Sequence, residues 1–185
     1  MSDKRTVLAA FGAALLIASP ICAQELTSAN PLDVVPETMP FNVPYGTPIS
    51  LESAQAAINA AVAEAKKRNW QMNVAVVDSG GNLVAFQRMD GAQLASIQIA
   101  EHKARAAATF RRETKVFENG IQSNNSLLTL DGIAATRGGI PLVAQGKTIG
   151  GIGCSGGASS QDEVVCRAGA AVMKQSATPS ASAPR

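Results

Sequence analysis

The chain has 185 residues, 46% of them hydrophobic and 16% charged, with a formal net charge of +2 at pH 7. That is enough apolar content for one globular core. A charge so near zero leaves no electrostatic footprint for nucleic acid or an anionic membrane surface.

The opening "MSDKRTVLAAFGAALLIASPICAQE" has a basic start at Lys4 and Arg5, an apolar run from Thr6 to Ile21 and a small residue at Ala23. This layout predicts residues 1–23 as a signal peptide and a periplasmic or secreted product. The run falls short of the roughly 20 residues a spanning helix needs, and no later stretch predicts a stable membrane span. Cleavage removes Asp3, Lys4 and Arg5, so the charge becomes +1, and Cys154 and Cys166 remain of the three cysteines. An even pair suits an oxidising compartment.

Residues 24–49 read as a proline-rich extended arm, because Pro31, Pro36, Pro40, Pro44 and Pro48 forbid long helix. From Asn30 to Pro48 the arm suits contact with a neighbouring subunit. Residues 175–185 are small, polar and proline-bearing and predict a disordered tail. Residues 50–174 form the domain. Ser50 is an N-cap, followed by Leu51, Ala54, Ile58, Val62 and Ala65 at helical spacing. Two β-rich runs, Met72 to Val77 and Leu83 to Arg88, flank the turn Asp78-Ser79-Gly80-Gly81-Asn82 and predict a hairpin.

"AQLASIQIAEHKARAAATF" predicts a second helix with two apolar or small faces: Leu94, Ile97, Ala104 and Ala108 on one, and Ile99, His102, Ala106 and Thr109 on the other. Such a helix is expected between layers or subunits. Thr114 caps a short third helix through Phe117 to about Ile121, and an irregular connection leads to Gly138-Gly139. A second hairpin turns at Gln145-Gly146-Lys147. Ser160 and Glu163 have capping-box spacing, opening a last helix that carries Val164, Val165, Ala168, Ala171 and Val172 inward. Hairpins cannot build a parallel sheet, so the fold class is α+β, an antiparallel sheet faced by helices.

"GIGCSGG", residues 151–157, contains the dinucleotide fingerprint G-x-G-x-x-G. That motif works only within a strand–helix–parallel strand unit, and here no strand follows the last helix. Two other uses remain open. Gly150, Gly151 and Gly153 let another backbone, or a flat ligand, approach the strand. Gly156 and Gly157 allow a sharp turn into a helix whose amides could hold a carboxylate.

With a single histidine, no histidine metal cluster can form within one chain, and neither cysteine has C-x-x-C spacing. Ser155 and Ser159 lack His-Asp partners and no G-x-S-x-G elbow is present. Cys154 closes a strand and Cys166 lies in the following helix, so they either form a disulfide or serve as small buried hydrophobes. His102 is a natural axial ligand if a haem is present, or else the partner of Glu101 or Glu113. Arg88, Lys103, Arg105, Arg111 and Arg112 are cations around the second helix, open to propionates, to a small anion or to solvent.

In order along the chain, "VAVVDSGGNLVAFQRMDGA", "KARAAATF", "GGIPLV", "GKTIGGIGCSGG" and "QDEVVCRAGAA" resemble the GlcG/HbpS family, the haem-degrading or DUF336 domain, from about Leu51 to Met173. The resemblance implies a profilin-like α/β/α sandwich with a five-stranded antiparallel sheet, and homo-oligomers from dimers to octamers. It also implies haem as cofactor, since relatives bind it, and some degrade it or partner extracellular redox sensors. A related domain ends some corrinoid adenosyltransferases. In the haem-binding branch a threonine oxygen after the long helix is assigned to the iron, and Thr114 in "FRRET" is the matching position. The sequence departs from the family where Ala106 replaces a threonine and where Cys154 and Cys166 replace a valine and an alanine.

The expectation is therefore an exported haem-binding homo-oligomer for haem storage, sensing or degradation. Its iron is held by Thr114 or His102, its porphyrin lies against Met89 and Phe110, and Arg88, Lys103 and Arg112 supply cations. The alternatives are an enzyme or carrier for a small carboxylate, and a ligand-free interaction module. Whether the protein is an enzyme is left open, and no catalytic residue is assigned.

Overall fold

A computed structural model of the chain describes residues 33–39 and 41–175. The expected leader, the first part of the arm and the tail beyond Gln175 lie outside the described residues. The chain divides into two units, one ending at Thr38 and one starting at Met39. Within the first, residues 33–38 hold no strand or α-helix.

The second unit runs α1 (Leu51–Lys67), β1 (Asn73–Asp78), β2 (Leu83–Arg88), α2 (Ser96–Phe110), α3 (Lys115–Ile121), a 3-10 turn (Asn125–Thr129), β3 (Gly139–Ala144), β4 (Lys147–Ser155) and α4 (Ser159–Gln175). Both hairpins form. In the first, Asp78 accepts from the Gly80 and Asn82 amides and Gly81 takes φ 85°. In the second, Gln145 and Gly146 both have positive φ, 50° and 73°, which matches the right-handed twist of paired strands.

The sheet is four-stranded and antiparallel, in the order β2-β1-β4-β3. This corrects the five strands that the resemblance implies. β1 pairs with β4 only as far as Gly150, and the arm takes up the next ladder positions: Gly46 N–H donates to Thr148 O, Thr148 N–H to Pro44 O, and Ile49 N–H to Ile149 O. Among its described residues the arm makes one isolated parallel bridge, Tyr45 with Thr148. Pro44 and Pro48 lack the amide hydrogens a continuous strand would need. Residues 44–49 thus bind their own domain.

Helices cover both faces of the sheet. α1 and α4 lie against one face, where Ile58, Val62, Met72, Val74, Val76, Ile152, Val165 and Met173 form the main core. α2 covers the other, with Ala100, Ala104 and Ala108 set on Ala75 and Val77. The strand glycines explain the close fit. A Cβ on Gly153 would lie 2.0 Å from Ala100 O, and one on Gly151 would lie 2.4 Å from Ala104 O. The backbone that approaches belongs to α2 of the same chain, so these two glycines leave no slot for a flat ligand.

Two helix assignments shift in phase. Ser50 caps α1 through Ser53 N–H, but Leu51 is exposed and Ala57 and Ala61 complete the buried stripe. On α4 only Val165 of the five expected inward residues is buried. Asp162, Val165, Cys166, Gly169 and Met173 form the inner face, because Gly169 lets the helix sit against Ala57 O and Ile152. The capping box also moves: Ala158 N–H donates to Gln161 Oε1 at 2.8 Å, while Glu163 faces a cluster of cations. Cys154 and Cys166 form a disulfide joining β4 to α4, 12 residues apart in sequence.

Candidate functional site: an arginine-rimmed cleft at the sheet edge

β3 is an edge strand, and Pro141 within it is tolerated because an edge position can do without a ladder donor. Beside it the two helical layers part and leave a cleft of about 460 Å³. Ile140, Pro141, Val143, Ala170 and Ala171 form its apolar floor, and Arg111, Arg112, Glu113 and Arg167 its rim.

The rim is built by the end of α2. Arg111 adopts the left-handed conformation, φ 55°, and ends the helix with its N–H on Ala108 O. The guanidinium of Arg111 donates to Val43 O at 2.9 Å and lies 4.9 Å from the Tyr45 ring centre. The Tyr45 hydroxyl in turn donates to Thr109 O at 2.5 Å. Arg112 stacks over Phe41, reaches Phe117 at 5.4 Å and donates to Phe110 O at 3.2 Å. Burial, and then the charge of Arg111, lower its pKa from the usual guanidinium value.

The other rim charges neutralise one another. Arg167 donates to both Glu113 oxygens, at 3.1 and 2.7 Å, and to Glu163 at 2.5 Å. Glu163 also meets Lys115 at 3.2 Å and Arg137 at 3.3 Å. Burial pushes the Glu163 carboxyl up, but hydrogen bonds from Arg167 and Lys115 outweigh it and hold the group below the ordinary value. The hydrogen bonds that Arg167 donates to Glu113 and Glu163 raise its pKa. Among the described residues, Arg111 and Arg112 form no salt bridge with a carboxylate.

The residues singled out from sequence do not converge on one place. Arg112 lines the cleft, and Phe110 packs edge-on against Phe117 at 5.1 Å just behind it. Thr114 is fully buried. Its hydroxyl accepts from Gly139 N–H at 2.9 Å and its own N–H donates to Gly139 O, so it ties the α2–α3 corner to β3 and makes no side-chain cap. His102 is exposed on α2, eight residues and about 12 Å of helix before Phe110. Arg88 and Met89 line a separate cleft of about 420 Å³ with Lys66, Trp70 and Asp90.

Lys103 faces inward. Its ammonium donates to Asp162 at 2.7 Å and to Cys154 O at 3.3 Å, with both side chains almost wholly buried. Asp162 also accepts from Gly157 N–H at 3.1 Å. The carboxylate and side-chain carbonyl held by the amides before α4 are therefore the chain's own Asp162 and Gln161. Burial raises the Asp162 pKa despite the opposing pull of Lys103. Sequence reading passed over this pair, and it passed over Arg167 and the Phe41–Tyr45 clamp. The usable signals were an acid just after a glycine turn and the i,i+4 pair Glu163–Arg167.

Known proteins supply the remaining comparison. Residues 49–171 match the family model described as haem degrading protein HbpS-like. Protein GlcG of Escherichia coli K12 is 40% identical over 108 residues, 58% of this chain and 81% of that protein. A crystal structure of a double mutant of Streptomyces reticuli HbpS superposes with a TM-score of 0.65 at 33% identity, covering 76% of this chain and 97% of that one. The crystal structure of a PduOC:haem complex matches at a TM-score of 0.62 and 26% identity, covering 68% and 95%.

Proposed function

The chain belongs to the HbpS-like family of haem-degrading proteins, and on that premise we propose that it binds haem in the cleft at the β3 edge. One observation carries the reading: an apolar floor beside β3 lies under two half-buried guanidiniums that no described carboxylate neutralises. Charge taken out of water is stable only when paired. A porphyrin is flat and apolar with two carboxylates at one edge, which is the matching shape and charge. At about 460 Å³ the cleft falls in the range of small-molecule sites, roughly 300–1,000 Å³.

The residues fit the porphyrin more readily than they fit its iron. The described residues lining the cleft include no His, Cys, Met or Tyr to serve as an axial ligand. Of the two candidate donors, Thr114 is fully buried with its hydroxyl on Gly139 N–H, whereas His102 stands on the exposed face of α2. His102 is the readier ligand, supplied by a second copy, because in its own chain it stands about 12 Å of helix before the cleft end of α2. The reading includes export to the periplasm or beyond, supported by the disulfide, and assembly as a homo-oligomer. Storage, sensing and degradation are all open to such a site.

Titration of the mature protein with haemin tests the reading. A saturable Soret shift is expected, absent in the variant that removes the ligand: His102→Ala if histidine holds the iron, Thr114→Val if threonine does. No shift in the unmodified protein overturns it. A small carboxylate would use the same arginine pair, so ligand-induced thermal stabilisation by simple acids without haemin would favour a carboxylate carrier instead.

A further inference from the structure

The end of α2 shows two adjacent arginines whose positions are set from outside the helix. The arm holds them through different residues: Arg111 by Val43 O and the Tyr45 ring, Arg112 by the Phe41 ring. Tyr45 closes the arrangement by donating to Thr109 O, in the last turn of the same helix. The arm is in turn fixed to β4 by the hydrogen bonds of Gly46, Thr148 and Ile49. A long flexible guanidinium side chain loses much rotamer freedom when it binds, and pre-organisation removes much of that cost. Two like charges side by side repel, so fixing them together is favourable only if something else compensates. Here the compensation from the protein is aromatic rings and two carbonyls, Val43 O and Phe110 O, with no carboxylate of the described residues taking part.

We infer that residues 41–45 of the arm are positioning residues of the cleft. They hold Arg111 and Arg112 as a fixed pair of anion-binding groups, and the carboxylates of the ligand take the ion-pair positions the chain leaves open. The inference rests on the haem reading, under which those carboxylates are the two propionates. The arm, which looks in sequence like a linker or a contact for a neighbouring subunit, is then part of the site. Arg111 and Arg112 at the α2–α3 corner would hold the propionates, and Ile140 and Pro141 would offer apolar surface to the ring.

The test compares haemin with its dimethyl ester, which keeps the ring and iron but lacks the charges, on the mature chain with the arm intact. The unmodified protein is expected to prefer haemin at least tenfold. Phe41→Ala is expected to shrink that preference to threefold or less while ester affinity stays within twofold, and Phe41→Tyr to restore it. Arg112→Gln should mimic Phe41→Ala. A merely structural role for Phe41 would lower the affinities for both ligands together and leave their ratio unchanged, and that result overturns the inference. So does a tenfold preference that persists in both variants. Equal binding of haemin and ester by the unmodified protein overturns the inference and spares the haem reading, whereas absence of any haemin binding removes both.

Discussion

The two faces of the sheet are built on different principles. On the α1/α4 face, large side chains interdigitate between backbone layers, with Ile58, Met72, Val74, Ile152 and Val165 fully buried and a disulfide fastening β4 to α4. A bridge over so short a loop contributes about 3 kcal/mol in the chain-entropy account. On the α2 face there is almost no side-chain layer at all. Ala100, Ala104 and Ala108 sit directly on Gly151 and Gly153, helix backbone against strand backbone. The first face obtains its stability from apolar volume, and the second from the absence of volume. The thin face lets the end of α2 lie low beside β3, which is where Arg111 and Arg112 reach the cleft.

The largest expected effect breaks the thin face. Gly153→Ala places a methyl group 2.0 Å from Ala100 O and 2.4 Å from Ala104 N, so α2 must lift from the sheet. Ordinary over-packing costs about 1–3 kcal/mol because side chains move aside. Backbone cannot do so here, and a loss beyond about 4 kcal/mol is expected, with failure to accumulate as folded protein. Circular dichroism and urea titration decide it. A Gly153→Ala protein with an unchanged midpoint would sink the backbone-on-backbone account.

The next effect concerns a buried ion pair joining the layers, Lys103 on α2 to Asp162 on α4. Lys103→Met leaves the Asp162 carboxylate buried with only backbone amides for partners, and about 3–5 kcal/mol should be lost. Replacing both partners, Lys103→Met with Asp162→Leu, should recover a large part of that, since burial already disfavours the charged carboxyl. Denaturant midpoints of the two singles and the double give the coupling. Additive losses would mean that the pair does not act as a unit.

The fold was legible where local chemistry and tertiary packing agree. Ser50, the Asp78–Asn82 turn and the Gln145-Gly146 turn announce their elements directly, because a cap or a positive-φ turn depends on a few neighbouring residues. Phase was less legible. The inward face of α4 is set by Gly169 against α1, a partner more than 100 residues away in sequence, and Val164 and Ala171 are left outside. The site was legible by type and hardly by place. Arg112 and Phe110 do lie at or behind the cleft, but Lys103 is turned inward by Asp162, and Met89 and Arg88 belong to another cleft. A periodic pattern says which residues share a helix face. It does not say which of two layers that face meets.

The smallest effect sharpens the comparison at the point where the thick face reaches the cleft. Asp162 and Glu163 are neighbours on α4 and their carboxyls shift in opposite directions, the first raised by burial, the second held down by Arg167 and Lys115 in spite of burial. A lowered folded pKa means that Glu163 contributes stability above its unfolded value, and loses it as the pH falls through the folded one. Asp162 has the opposite sign: its raised value favours the folded state as the pH falls and works against it as the pH rises. Stability should therefore decline below about pH 4, the ordinary carboxylate range, where Glu64 and Asp78, also held below their ordinary values, add to the Glu163 loss and Asp162 opposes it. Arg167 is about half exposed, so Arg167→Gln should cost under about 1 kcal/mol at neutral pH. It should also shift the acid limb of the unfolding curve upward in pH, because Glu163 loses the donor that holds it down most strongly. Thermal midpoints between pH 3 and 7 for the two proteins measure this, and coincident acid limbs would mean that Arg167 does not set the Glu163 charge.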